Sequence, residues 1–325
     1  MTPSYHWRQL PPIPDREGFA GSFAGVSGGA LVVAGGANFP DKRPWEGGTK
    51  VWYDSVFVLE KPDGAWKRAG KLPRPLGYGV AVTTKDGIVC AGGSNAQGHH
   101  ADVFLLNWRD GKLITSPLPP LPQLCANMSG ALVGGTLHVA GGIATPDATT
   151  ALKTFWSLNL ANTKAGWHEL EPWPGRERML ATAGVCGDSF FLFSGAALCA
   201  GADGKPMREW LRDAYRYTPG RGWKRIADLP RVSVAAPSPA TNLLVIGGDD
   251  GAQVNTSPTT HKGFPRDVLA YDMKADTWRV GSKVPFSLVT TTAVEWHGQI
   301  VIPGGEARPG VRSPEVWTFG PARPH

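Results

Sequence analysis

The sequence predicts an all-β fold, a six-bladed β-propeller, and three observations support this prediction. The 325 residues include 42 glycines and 29 prolines, with no collagen period and no low-complexity tract. Such a composition is typical of folded chains that are rich in turns and poor in long helices. An apolar run that ends in a glycine pair recurs along the chain, and the first residues can supply the strand that the last repeat lacks.

The glycine pairs give the number of blades. Five runs are LVVAGG, IVCAGG, LHVAGG, LVIGG and IVIPGG, and FFLFSG is a degenerate sixth copy. Their last glycines are residues 36, 93, 142, 195, 248 and 305, so the repeats are spaced by 49 to 57 residues. This period matches the kelch repeat, in which each repeat forms one four-stranded blade of about 50 residues.

The remainder of each repeat agrees with a blade. A short strand follows the glycines, as at residues 56–60, 103–107 and 268–272, and a tryptophan comes next. We expect these tryptophans to fill the wide outer space between blades, which accounts for many of the 13 in the chain. They are Trp66, Trp167, Trp223 and Trp278, with Leu113 or Ile114 at the equivalent place in the second repeat.

The N-terminal residues are predicted to close the ring. The last repeat ends after EVWTFG without an outer strand, whereas residues 6–14 have the pattern of one, with Trp7 at the tryptophan position. Pairing these two ends completes the last blade and removes an open sheet edge, which otherwise promotes aggregation. We therefore predict one six-bladed propeller domain over residues 1–325.

The formal net charge of +6 comes from basic residues that are scattered along the chain. Nucleic acid is not an expected partner, because no basic helix or RNA-binding aromatic motif is present, whereas a mild positive field suits a small anionic ligand. No apolar run approaches the ~18 residues of a membrane span. The N-terminus has no signal-peptide pattern. The four cysteines form no CxxC pair and do not fix the compartment, and no feature indicates the oligomeric state.

Ligands of propellers typically bind where the central channel opens, on the face that carries the loops after the glycine pairs. Three of these loops are long and polar, residues 37–55, 196–214 and 249–267. Each either forms a rim or lid over the channel or is an ordinary solvated loop.

The last repeat carries a shorter segment, GGEARPGVRSPEVW, in which Glu306 directly follows the glycines. Pro309-Gly310 is a turn dipeptide that folds the chain back, so Arg312 can return to the side from which Glu306 projects. A carboxylate and a guanidinium over an axial pocket can act as a base and an anion clamp. The alternative is a surface ion pair that ties a loop together, worth ~0–1 kcal/mol.

Four other residues are candidate ligands at the channel mouth. Arg74, Arg178 and Arg231 precede innermost strands, and Asn127 begins one, although rim solvation explains the arginines equally well. No metal site is expected, since HExxH, paired-cysteine and EF-hand patterns are absent and the histidines are not spaced as ligands. No cofactor is expected, because no phosphate-binding loop occurs, and the nucleophile elbow of serine hydrolases is missing as well.

Two stretches resemble the bacterial kelch-propeller N-acetylneuraminate epimerases, or sialic acid mutarotases, and in particular their cyclically permuted branch. GFAGSFAGVSGGALVVAGGANF at residues 18–39 is similar to an inner strand of that family and the glycines after it. GGEARPGVRSPEVW is similar to the segment that supplies the family's catalytic Glu and Arg, and PGRERMLATAG is similar to a strand entry that bears an arginine. In the characterised epimerases the FAG-containing blade comes late in the chain, an order that a closed ring tolerates.

The resemblance implies an isomerase that interconverts α- and β-N-acetylneuraminate by ring opening and reclosure. It implies that Glu306 is the acid/base and that Arg312 holds the carboxylate or stabilises developing charge, while Arg178, Arg74 and Arg231 supplement the positive field or orient the glycerol and N-acetyl groups. Asn127 is a further candidate for substrate binding from its position alone. It also implies a periplasmic location, although this chain begins without a signal segment. Two alternatives remain open, an isomerase or lyase that acts on another acidic sugar and a non-catalytic kelch binding module.

Overall fold

The computed structural model describes residues 5–202 and 204–321, which form six antiparallel sheets around a common axis. These residues contain no α-helix, and three short 3₁₀ turns interrupt the strands at Pro44–Glu46, Thr163–Ala165 and Thr241–Leu243. No helix among them is long and apolar enough to cross a membrane. The predicted six-bladed β-propeller is confirmed.

The first three blades follow the N-terminal strand β1 (Tyr5–Leu10), which belongs to the last blade. Blade 1 and the insertion within it comprise β2 (Phe23–Ser27), β3 (Ala30–Ala34), β4 (Ala37–Asn38), β5 (Val51–Trp52), β6 (Ser55–Leu59) and β7 (Lys67–Lys71). Blade 2 comprises β8 (Val80–Thr84), β9 (Gly87–Asn95), β10 (Gly98–Arg109) and β11 (Lys112–Leu118). Blade 3 comprises β12 (Ser129–Val133), β13 (Thr136–Ala140), β14 (Phe155–Asn159) and β15 (His168–Glu169).

Two of the last three blades carry an additional hairpin after the glycine pair. Blade 4 and its hairpin comprise β16 (Thr182–Cys186), β17 (Ser189–Phe193), β18 (Ala196–Ala200), β19 (Pro206–Trp210), β20 (Ala214–Thr218) and β21 (Gly222–Ile226). Blade 5 comprises β22 (Leu244–Ile246), β23 (Asp267–Asp272) and β24 (Thr277–Lys283). Blade 6 and its hairpin comprise β25 (Val294–Trp296), β26 (Gln299–Pro303), β27 (Glu306–Arg308), β28 (Val311–Arg312) and β29 (Val316–Pro321). The two hairpins are β18–β19 and β27–β28.

Blade 5 has three regular strands where the repeat predicts four. Its inner segment contains Pro237 and Pro239, which have no amide hydrogen to donate to a strand ladder. Isolated bridges hold this segment in the inner position, with Val234 pairing with Asp249 and Ser238 pairing with Thr292 of blade 6.

The N-terminal strand closes the ring as predicted. β1 pairs with β29 over its whole length, so the sheet of blade 6 has the order β1-β29-β26-β25. Trp7 lies opposite Phe319 in this register and stacks on it, with ring centroids 4.1 Å apart. The ring is therefore joined by backbone hydrogen bonds and by an aromatic contact between its two ends.

The repeated tryptophans join neighbouring blades, which confirms their predicted packing role. The indole N–H of each donates to a backbone carbonyl just after the outer strand of the preceding blade, at distances of 2.8 to 2.9 Å. The pairs are Trp66 with Pro11, Trp167 with Pro119, Trp223 with Glu171 and Trp278 with Ala227. In blade 2, Leu113 packs against the core in this place, and Ile114 is exposed.

A closed ring of six backbone hydrogen bonds surrounds the axis. One residue from the entry to each inner strand donates its N–H to the carbonyl of its counterpart in the adjacent blade, at 2.7 to 2.8 Å. All six have left-handed backbone conformations, with φ between 54° and 69°. We call this ring the axial belt, and its residues are Gly21, Tyr78, Asn127, Leu180, Ala235 and Thr290.

Candidate active site

The axial belt forms the floor of a cavity of about 540 Å³ at one end of the channel. This volume falls within the range of small-molecule sites, ~300–1,000 Å³. The belt residues Tyr78, Asn127, Leu180 and Thr290 line the floor, and the loops after the glycine pairs form the walls. A second cavity, of about 70 Å³, lies against the same belt residues further along the channel. The site thus combines a rigid backbone floor with walls from loops of several blades.

Glu306 and Arg312 lie opposite each other in the hairpin β27–β28 and reach the cavity together. Arg312 Nη1 lies 2.7 Å from Glu306 Oε1, and the N–H of Gly310 donates to the same oxygen at 2.8 Å. Gly310 has a φ of 77°, which a turn glycine adopts without strain. The predicted reversal of the chain at Pro309-Gly310, and the pairing that it allows, are both present.

Arg312 is held in a charged state by its surroundings. Its side chain is 5% exposed, its Nε donates to the carbonyl of Ala37 at 3.4 Å, and its guanidinium lies 5.1 Å from the ring centroid of Phe39. Burial by itself would lower its pKa, but the Glu306 carboxylate and then the Tyr78 hydroxyl outweigh burial and raise it. The pair therefore consists of a permanent cation and the carboxylate group of Glu306.

Tyr78 connects this ion pair to a second cation. Its ring lies 4.1 Å from Lys50 Nζ, which is also 4.7 Å from the ring centroid of Trp52. Neither the Tyr78 hydroxyl nor the Trp52 indole N–H has a hydrogen-bond partner, although both atoms are buried. The insertion at residues 37–55 thus places a lysine in an aromatic corner of the cavity wall.

His99 lies on the wall that blade 2 contributes, where β9 and β10 extend past the glycine pair. It is buried, and neither of its ring nitrogens has a hydrogen-bond partner. Burial lowers its pKa, the backbone of Gly98 partly opposes this effect, and the neighbouring His100 lowers the pKa further, so the imidazole is neutral near pH 7. A neutral imidazole offers one proton donor and one acceptor to a ligand.

The insertion at residues 196–214 contributes Arg208 to the cavity from the hairpin β18–β19. Its guanidinium lies 5.9 Å from the ring of Trp210, and that ring packs directly against Gly251 of the third long insertion. Nearby Asp249 has a raised pKa because of burial, which Arg208 partly offsets. The first two insertions therefore form walls of the cavity, and the third supports the second from behind.

The structure brings three of the six predicted site residues to this cavity, namely Glu306, Arg312 and Asn127. Arg74 is half-exposed beside Asp102 and His100, with its Nε 3.5 Å from Asp102 Oδ2. Arg231 forms a two-point ion pair with Asp267, at 2.9 and 3.0 Å. Arg178 is 1% exposed and pairs with Asp213. These three arginines are not among the residues that line the cavity.

Four titratable residues of the cavity are missed by sequence reasoning: Lys50, Tyr78, His99 and Arg208. Lys50 and Arg208 lie inside two insertions whose sequences single out no individual residue. His99 has no metal-ligand spacing, because its nearest histidine is adjacent to it. Tyr78 has a usable signal, since it occupies in its repeat the position that Asn127 occupies in the next.

A family model and several curated proteins are similar in sequence to about one third of this chain. Residues 2–115 match the family model described as N-acetylneuraminate epimerase. The N-acetylneuraminate epimerase of Salmonella enteritidis PT4 is 42% identical over 119 residues, which are 33% of this chain and 30% of the relative. That of Brucella suis is 40% identical over 126 residues, 34% of this chain and 32% of the relative. The resemblance to these epimerases is confirmed.

A solved structure supports the fold along the full chain. The structure of YjhT superposes with a TM-score of 0.68 and 16% sequence identity, covering 94% of this chain and 95% of that one. This similarity shows the propeller architecture. The chain spans about a third of the length of the curated relatives that it matches. The hairpin with Glu306 and Arg312 lies outside residues 2–115, which match the family model.

Proposed function

We propose that this protein is an N-acetylneuraminate mutarotase, an isomerase that interconverts the α and β anomers of the free sugar. The observation that carries the proposal is the Glu306–Arg312 ion pair that lines an axial cavity, in a chain whose N-terminal third matches the N-acetylneuraminate epimerase family model. The cavity has the size and the unpartnered polar atoms that a hydroxylated ligand requires.

Glu306 is the acid/base of the proposed reaction. Its carboxylate takes the proton of the anomeric hydroxyl while the bond between the anomeric carbon and the ring oxygen breaks, which gives the open-chain keto acid. The ring oxygen receives a proton from a donor in the cavity, for which Tyr78 has a buried hydroxyl without a hydrogen-bond partner, and the resulting phenolate takes the proton back on reclosure. Rotation about the bond beside the keto carbon exposes its other face, and reclosure returns both protons to their original positions on the opposite anomer.

Arg312 holds the carboxylate of Glu306 in position, with Nη1 2.7 Å from Oε1. Because its pKa is raised, it does not exchange protons in the cycle. Its charge stabilises the negative charge that develops on the anomeric oxygen as the ring opens. Asn127 lies on the belt beneath these groups, and we assign it to sugar binding. Arg74, Arg178 and Arg231 have no place in this assignment, because each is paired with a carboxylate away from the cavity lining.

The test is a proton NMR time course of anomer exchange, with α-N-acetylneuraminate released in situ by a sialidase. The wild type should accelerate equilibration, and Glu306→Gln should lose ~100-fold or more of that acceleration, in the range of general-base catalysis. Glu295→Gln is a matched control, since Glu295 is exposed in the same blade at the opposite end of the channel. Thermal unfolding of each variant checks its folding.

Two results would contradict the proposal. The absence of acceleration by micromolar wild-type protein would reject the substrate, and a screen of other keto-sugar acids would then separate another isomerase or lyase from a binding module. Full activity of Glu306→Gln would reject Glu306 as the base while leaving the substrate assignment in place.

A further inference from the structure

The charged groups that line the cavity are unbalanced. Lys50, Arg208 and Arg312 face a single carboxylate, Glu306, so two positive charges remain uncompensated while His99 is neutral. Such a cavity attracts a monoanion by its field alone. The remaining question is which cation contacts the anionic group, since the three differ in burial and in partners.

Arg312 is already committed to Glu306. Its side chain is 5% exposed, and its contacts are the Glu306 carboxylate at 2.7 Å, the Ala37 carbonyl and the Phe39 ring. A ligand carboxylate placed on Arg312 would compete with Glu306 for the same guanidinium and would bring two negative groups together, and these groups repel each other.

The positive charge of Arg208 is partly compensated by a carboxyl group that does not line the cavity. It is exposed on the hairpin β18–β19, stacks on Trp210 and lies near the carboxyl group of Asp249. It lies at the open rim of the cavity, where it is more exposed to solvent than the belt residues are. We therefore expect it to contribute to the field without fixing the ligand.

Lys50 is half-buried, and among residues 5–202 and 204–321 no carboxylate pairs with it. Two aromatic rings, those of Tyr78 and Trp52, hold its ammonium group at 4.1 and 4.7 Å. The cation–π contacts position the lysine but supply no counter-ion and no hydrogen-bond acceptor. The three N–H bonds of the ammonium group are therefore available to an anion in the cavity.

The chemistry of the proposed substrate requires a cation at this place. In N-acetylneuraminate the anomeric hydroxyl and the carboxylate are substituents of one carbon, so a carboxylate anchor must lie near the base without being bound to it. Tyr78 provides that separation, since its ring packs on Lys50 and its hydroxyl adjoins Arg312.

We propose that Lys50 is the anchor for the substrate carboxylate, a subsite formed with Tyr78 and Trp52, and that Arg312 holds Glu306 and stabilises the charge that develops on the anomeric oxygen instead of binding the carboxylate. The inference rests on the proposed function, because that function supplies the carboxylate. It assigns separate tasks to the two cations, since Lys50 binds the sugar acid and Arg312 positions Glu306.

The test compares Lys50→Met with the wild type on two ligands, N-acetylneuraminate and its neutral C1 methyl ester. Methionine keeps the apolar length that packs on the two rings and removes the charge. Equilibrium dissociation constants of both ligands are measured by calorimetry, and the anomer-exchange time course gives kcat and KM for the acid. Lys42→Met is the matched control, since Lys42 is exposed in the same insertion and does not line the cavity.

We expect Lys50→Met to weaken binding of the acid roughly 10- to 100-fold, the range for loss of a hydrogen bond to a charged group. Binding of the ester should change less than about twofold, and KM should rise with little change in kcat, because the anchor holds ground state and transition state alike. Lys50→Arg should retain most of the affinity for the acid, and Lys42→Met should match the wild type.

The outcomes separate this inference from the proposed function. An active wild type whose Lys50→Met variant binds acid and ester with unchanged constants, or loses both equally, overturns the anchor and leaves the mutarotase standing. An inactive wild type that binds the acid through Lys50 supports the anchor and overturns the mutarotase. A wild type that neither binds the acid nor accelerates exchange overturns both.

Discussion

Arg178 Nη2 lies 2.8 Å from Asp213 Oδ2, and the hydroxyl of Tyr215 donates to the same carboxylate oxygen at 2.5 Å. The guanidinium lies between the rings of Trp173 and Tyr215 and donates from Nη1 to the carbonyl of Ser194 at 2.8 Å. Burial raises the pKa of Asp213, but hydrogen bonds and charge from Arg178, with Tyr215, outweigh it and lower that pKa. The arginine is thus a buried structural element of blade 4.

Replacement of Arg178 should therefore change stability far more than it changes catalysis. In Arg178→Met the Asp213 carboxylate stays partly buried without its cation, which typically costs about 3–5 kcal/mol of unfolding free energy. Arg176→Met is the matched control, because Arg176 is half-exposed and ion pairs at the surface contribute little to stability. Chemical denaturation measures both values. A variant that is as stable as Arg176→Met and has a raised KM would instead make Arg178 a ligand.

The position of Arg178 shows what the sequence can and cannot predict. The repeat predicts that residue 178 enters an inner strand, because strand order and glycine spacing are local properties of each blade. Its partner Asp213 lies 35 residues away, beyond the insertion hairpin β18–β19, and no periodic signal links the two. From the sequence alone, an arginine at a strand entry is therefore predicted to face the channel. Only the folded structure shows the buried carboxylate that pairs with it.

The walls and the floor of the cavity likewise contain residues whose positions follow from local sequence and residues whose positions depend on other blades. The pairing of Glu306 with Arg312 was predictable, because the two residues are only six positions apart in the sequence and one Pro-Gly turn lies between them. Lys50 and Arg208 come from insertions that follow no period, so their side-chain positions depend on packing against other blades. The axial belt is also non-local, since Tyr78 and Thr290 hold left-handed conformations that side chains rarely adopt, and the ring of hydrogen bonds maintains them.

His138 provides a pH-dependent contribution to stability. It is buried against the rings of Phe155, Phe190 and Tyr217, and burial lowers its pKa, with a smaller opposing effect from the Thr136 carbonyl. The unfolded chain therefore binds this proton more readily than the folded one. The contribution of His138 to folding stability is fully present above the unfolded pKa of ~6.5. It decreases as the pH falls below that value, by up to ~1.4 kcal/mol per pH unit.

His138→Phe should remove this dependence, so that its unfolding free energy falls less between pH 7 and pH 5 than that of the wild type. Denaturant titrations at several pH values measure the difference. His168→Phe is the control, because His168 is exposed on β15, and its curve should run parallel to the wild type. Parallel curves for His138→Phe and the wild type would show that His138 is not the group that titrates.

His99 is a polar residue that lowers the stability of the folded chain and is available to a ligand. Both of its ring nitrogens are buried without partners, and one such unsatisfied group typically costs ~1–3 kcal/mol. His99→Phe should therefore increase the unfolding free energy by about 1 kcal/mol, while kcat/KM for anomer exchange falls at least ~10-fold because a donor or acceptor for the sugar is lost. Thermal unfolding and the NMR time course measure the two effects on one preparation. Because a merely structural histidine would lose stability on replacement and leave the kinetics unchanged, opposite changes in stability and activity identify His99 as a residue that touches the substrate.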